Sequence, residues 1–140
     1  MQHLAWLQAT PKPPPGSKRA KLAEQAPAPS RIERLKRDGI TPPMPPNPAP
    51  HIIERLIEIG LSEAAGMGAV PVSWITIEAW QRVTGTTIAA WEARLIRRLS
   101  TDYLTMSRKA ESETCPPPWR APVTEREIET EVQRLEMVLG

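Results

Sequence analysis

Twelve of the 17 prolines in this 140-residue chain fall within residues 1–50. Proline locks its own φ and lacks a backbone donor, so that stretch cannot supply a long helix or a central strand. A sizeable core is confined to roughly the remaining 90 residues, enough for a small bundle of modest stability. The chain has five Trp and no Phe, so Trp and aliphatic side chains must fill that core.

The net charge of +2 is unevenly spread. Residues 1–50 carry 8 Lys/Arg and 3 Asp/Glu, net +5. Residues 51–120 carry 8 of each, and residues 121–140 carry 2 and 5, net −3. Blocks of this kind are solvated or interaction segments, but +5 over 50 residues is a thin footprint for nucleic acid. The single cysteine, Cys115, excludes an internal disulfide and suits a reducing compartment. No apolar stretch approaches the roughly 18 residues of a membrane span. Met1–Leu7 lacks the charged start and apolar run of a secretory signal. These features point to a cytoplasmic protein that uses no membrane.

Four parts follow: a Pro-rich basic arm (1–50), largely disordered; a helical core domain (51–111); a Pro-rich hinge (112–122); and an acidic C-terminal helix (123–140). Within the arm, Ser30 and Glu33 form a capping box that opens a short helix ending at Gly39. Residues 1–29 are too poor in aliphatics to offset the entropy of ordering, and Trp6 reads as exposed by chance. Residues 51–65 carry Ile53, Leu56, Ile57 and Leu61 on one face and Glu54, Arg55 and Glu58 on the other, an amphipathic helix. Residues 73–84 form a helix capped by Ser73 and closed by Gly85. Its apolar residues surround most of the axis, which predicts a central, buried helix. Residues 88–110, capped by Thr86 or Thr87, carry the strongest helical period: Trp91, Leu95, Leu99 and Met106 fall on one arc, and Arg94, Arg97 and Arg98 on the arc beside it. Glu92 falls inside that apolar stripe, at the rim of the core or beside a neighbouring Arg. After the hinge, Thr124 and Glu127 form a second capping box. Ile128, Val132, Leu135 and Leu139, spaced 4, 3 and 4 apart, make a narrow seam of the coiled-coil kind. No segment of useful length has a strand period, and the fold class is all-α.

The chemistry-bearing residues do not assemble into a catalytic motif. His3, His51 and Cys115 match no zinc spacing, no Gly-rich phosphate loop exists, and Cys115 sits before three prolines as an exposed thiol. No metal, no cofactor and no enzymatic activity is expected. A DNA-binding helix-turn-helix centred on Gly85 fits poorly. Gln81 stands where the helices would cross on a small residue, and Thr86 and Arg94 fall where apolar residues belong. Protein binding fits better. Trp is enriched at interface hot spots, so Trp74, Trp80 and Trp91 are candidate contact residues, with two of the three expected in the core. Trp119, in the hinge, is a candidate for docking on another element. Ile128, Val132, Leu135 and Leu139 form the candidate seam for a partner, in cis or in trans.

Residues 70–106 carry Pro71-Val72-Ser73-Trp74, Ile77, Trp80, Thr84-Gly85, Trp91-Glu92, Leu95, Leu99 and Tyr103-Leu104. In this pattern the chain resembles the small tail assembly chaperones of long-tailed bacteriophages, in particular the downstream chaperone often made by frameshifting. The resemblance spans roughly residues 40–107 and rests on packing and capping residues. It implies a non-enzymatic protein of the host cytoplasm that binds the tape-measure protein and helps recruit the tail-tube subunit; the charge blocks of opposite sign would also permit head-to-tail self-association. The alternative from the residues is a small phage DNA-binding protein, a packaging or regulatory factor.

Overall fold

A computed structural model describes residues 1–140. In chain order the elements are α1 (Gln2–Gln8), α2 (Lys18–Ala23), α3 (Arg31–Arg37), α4 (Pro50–Ile59), β1 (Glu63–Ala65), β2 (Gly68–Val70), α5 (Trp74–Thr84), α6 (Ala90–Lys109) and α7 (Glu125–Leu139). The structure is mostly helical, 54% of residues. The one departure is a two-stranded antiparallel hairpin, with Glu63 opposite Val70 and Ala65 opposite Gly68. The helix expected over 51–65 stops at Ile59 because Gly60 turns the chain at φ 118°, a conformation that side-chain-bearing residues rarely adopt. Three-residue strands are too short to show a period in sequence.

The spine is α6, packed against α1, α4, α5 and β2. The central core is Ile52, Leu56, Val72, Ile77 and Ile96, all essentially without solvent contact. Two of these come from α4, at i and i+4 on one face, and one each from α5 and α6. The expectation that 73–84 is the buried central helix does not hold. Only Ile77 of α5 is buried, while Trp74, Ile75 and Val83 face solvent. Its ends are as expected: the Ser73 hydroxyl accepts from Thr76 N–H, and Gly85 is left-handed at φ 67°. α6 starts later than expected, with neither Thr86 nor Thr87 capping it. Instead the Glu92 carboxylate reaches back to the Ala89 N–H at 3.0 Å. Its other oxygen takes Arg55 of α4 at 3.0 Å, which accounts for a carboxylate inside the apolar stripe.

Two polar ties hold the hairpin and the start of α5. The buried Ser100 hydroxyl donates to Leu61 O at 2.7 Å and accepts from Val72 N–H at 3.0 Å. The Glu63 carboxylate accepts from the Ser73 N–H at 2.8 Å and from its hydroxyl at 3.1 Å. These bonds, led by the Ser73 N–H, hold the Glu63 carboxyl below its ordinary value of 4.5. A carboxyl lowered on folding adds stability that is present above that ordinary value and lost as pH falls through the lowered one. Glu63→Gln cannot titrate. It should therefore show a shallower fall of melting temperature below about pH 4.5, and equal slopes would rule out Glu63 as a source of acid sensitivity.

The arm also departs from expectation. Residues 1–9 are not free: His3, Ala5 and Leu7 of α1 are buried. His3 and Leu7 share one face, and Ala5 lies on the opposite one, because α1 is sandwiched between α6 and α3. Trp6 is not an exposed accident, since its indole N–H donates to Cys115 O at 2.9 Å. Arg31 closes the sandwich. Its guanidinium lies 4.5 Å from the centre of the Trp6 ring and donates to Trp6 O and Ser112 O, each at 3.0 Å. Burial pushes the Arg31 guanidinium pKa below its ordinary value. Arg31→Ala is expected to release α1 and the residues it pins. Amide exchange across Gln2–Gln8 should rise at least about tenfold, as local opening becomes easier, while α5 is unaffected. Unchanged protection of α1 would show that Arg31 is not the clasp.

Candidate interaction surfaces

Helix α5 is apolar on more sides than its neighbours can cover. Ile77 faces the core, and Trp80 is half-buried with its indole N–H shut off from solvent and without an acceptor. The remaining apolar residues, Trp74, Ile75 and Val83, are exposed. The five-residue link Gly85–Ala89 turns the chain into α6. Gln81 steadies this turn by accepting the Ile88 N–H at 3.0 Å. Trp91, in the first turn of α6, is 58% exposed. The expectation that two of Trp74, Trp80 and Trp91 fill the core is therefore not met: none is buried and Trp80 alone is half-covered. Nine aliphatic or small apolar residues form the buried set instead.

Arg97 lies with its guanidinium 4.9 Å from the Trp74 ring centre and donates to Val72 O at 3.1 Å. This fixes one face of Trp74 and leaves the rest of the ring to solvent. Arg94 and Arg98, one helical step round from Arg97, are exposed and make no ion pair. With Trp91 they form a stripe at i, i+3 and i+7.

Trp119 docks within the chain. Its ring meets His3 edge-on, centres 5.4 Å apart, and His3 stacks on Trp6 at 6.0 Å. His3 Nε2 lies 3.1 Å from Pro43 O, so α1, the later part of the Pro-rich arm and the hinge converge on one imidazole. This His3–Trp6–Trp119 cluster is not legible in sequence, because its members are up to 116 residues apart. The only local signal is the apolar content of HLAWL.

Helix α7 forms as its capping box requires. The Thr124 hydroxyl accepts from Glu127 N–H at 3.2 Å, and the Glu127 carboxylate from Thr124 N–H at 2.9 Å. It touches no other element. Ile128, Val132, Leu135 and Leu139 are all exposed, and the structure gives the seam no partner in cis.

No three His, Cys, Asp or Glu side chains come together as a metal-binding group. No helix is long and apolar enough to cross a membrane. In comparison with known proteins, no family model matches the chain, no curated protein matches it, and no solved structure matches it.

Proposed function

We propose that the chain is a non-enzymatic assembly factor that works by binding other proteins, of the phage tail assembly chaperone kind. The observation that carries this reading is α7: a capped 15-residue helix that presents its apolar seam to solvent beyond a proline hinge. A helix of that length is marginal alone in water, and an apolar seam gains stability only when covered. The exposed Trp74, Ile75, Val83 and Trp91 add further uncovered apolar surface on α5 and α6. The residues behind the resemblance support the reading in a different way. Ser73, Gly85, Ile77, Leu95 and Leu99 build the α5–turn–α6 unit that displays this surface.

Co-expression of the unaltered chain with a tape-measure protein, and separately with a tail-tube subunit, tests the reading. Capture of the tape-measure protein is the expected result; a chain that retains neither protein has another function. Duplex DNA in the same assay should bind weakly and dissociate steeply as salt rises. A sequence-specific complex at physiological salt, lost on Arg94→Ala with Arg98→Ala, would favour the DNA-binding alternative.

A further inference from the structure

The hinge before α7 is not free. Glu111 O accepts the Lys12 N–H at 2.7 Å, Ser112 O accepts Arg31, Cys115 O accepts Trp6, and Trp119 packs on His3. Only residues 120–124 separate the last of these contacts from α7, roughly 16 Å of chain at full extension. α7 therefore projects from a fixed base with its seam open.

Pairing two α7 helices does not cover that seam well. With Ile128, Val132, Leu135 and Leu139 inside, the flanking positions are Glu129, Glu131, Glu136 and Val138, three of the four acidic. Flanks face flanks in a two-helix pair, so acid meets acid whether the helices run parallel or antiparallel. The surface that covers α7 must be apolar and bordered by cations.

This chain carries such a surface. On the exposed half of α5, Ile75 lies between Trp74 and Val83 round the axis, and on α6 Arg94 and Arg98 extend the stripe of the exposed Trp91 with no acidic partner of their own. We propose that α7 of one copy docks on the α5–α6 face of a second copy, its seam on Trp91 and the α5 side chains and its glutamates opposite Arg94 and Arg98. The donating and accepting faces differ, so a single contact is head-to-tail and leaves one free helix and one free face to add another copy. The proposal rests on reading these faces as binding surfaces, not on the identity of a client. Client capture is read with a second protein and self-association without one, so the two fail separately.

Two full-length variants test it. Leu135→Asp disables the donating helix. Arg94→Glu with Arg98→Glu disables the accepting face. All three positions are exposed, so the melting temperature of the core should match that of the unaltered chain at concentrations where the unaltered chain is monomeric. By sedimentation, the unaltered chain should grow past dimer as concentration rises. Each variant alone should associate more than about tenfold more weakly, since an unpaired buried charge or a like-charge contact opposes docking. An equimolar mixture should form a complex of two chains and nothing larger, because it holds one working helix and one working face. The proposal is overturned if the unaltered chain stays monomeric, if the Arg94/Arg98 variant self-associates undiminished, or if the mixture stays monomeric. A monomeric unaltered chain that is destabilised by Leu135→Asp would place α7 on its own core instead.

Discussion

Leu56→Ala is expected to lower the melting temperature by about 10–15 °C, through a loss of about 3 kcal/mol. Leu56 has no exposed surface and lies in a central cluster of five buried residues. Truncation removes three carbons from that cluster and leaves a cavity that α4 and α6 cannot collapse. The Arg55–Glu92 ion pair and the Ser100 bonds fix α4 and the chain following it against α6. With so few fully buried side chains, the chain has little reserve against such a loss. Leu56→Met, which nearly conserves volume, should cost less than about 1.5 kcal/mol. Thermal and denaturant unfolding of the two variants would separate packing from mere hydrophobicity, and equal melting temperatures would show that the α4 contact contributes little.

Ser100→Val should destabilise the fold by about 2–6 kcal/mol, an effect out of proportion to the small side chain involved. The hydroxyl serves two backbone groups 11 residues apart in sequence, Leu61 O and Val72 N–H. Removing it strands a buried N–H, which costs about 1–3 kcal/mol. The second methyl must also fit a site with no spare surface, a further cost of about 1–3 kcal/mol. Ser100→Thr keeps the hydroxyl and should recover most of the bonding term. The exchange rate of the Val72 amide reports the bond directly. If Ser100→Val leaves both that rate and the unfolding midpoint unchanged, water replaces the hydroxyl and the tie is dispensable.

The elements legible in sequence are those whose stability is written locally. Ser73 and Gly85 bracket α5, and Thr124 with Glu127 opens α7, because caps act within one turn. The pairing of Glu92 with an arginine is also foreseeable, since a carboxylate in an apolar stripe needs a cation. The end of α4 at Gly60 is misplaced in sequence because Leu61 and Ala64 continue the apolar period past the break. The start of α6 is misplaced because Glu92 supplies the first-turn partner that Thr86 and Thr87 offer on paper.

Which side of α5 is covered is not legible, since a helix apolar all round carries no mark of its buried face. Hence Trp74 and Trp91 emerge exposed, while small aliphatics hold the core. The seam of α7 is legible as a seam, but its occupant is not, because a partner's contribution lies outside the helix. Order in α1 is the least legible. Its seven residues depend on Arg31, Pro43, Tyr103 and Cys115 for their polar contacts.

That dependence has a topological cost. The Trp6–Cys115 bond closes a loop of 109 residues, against 39 for the Ser100–Leu61 tie. On chain-closure entropy alone the longer loop costs about 0.9 kcal/mol more. The high contact order is concentrated in the arm, whereas the α4–α6 unit is built from nearer neighbours. During synthesis α1 precedes α6, so its docking surface on α6 and its hinge contacts emerge from the ribosome only after about a hundred further residues. Of the elements packed on α6, the one made earliest is thus the last to be locked in place.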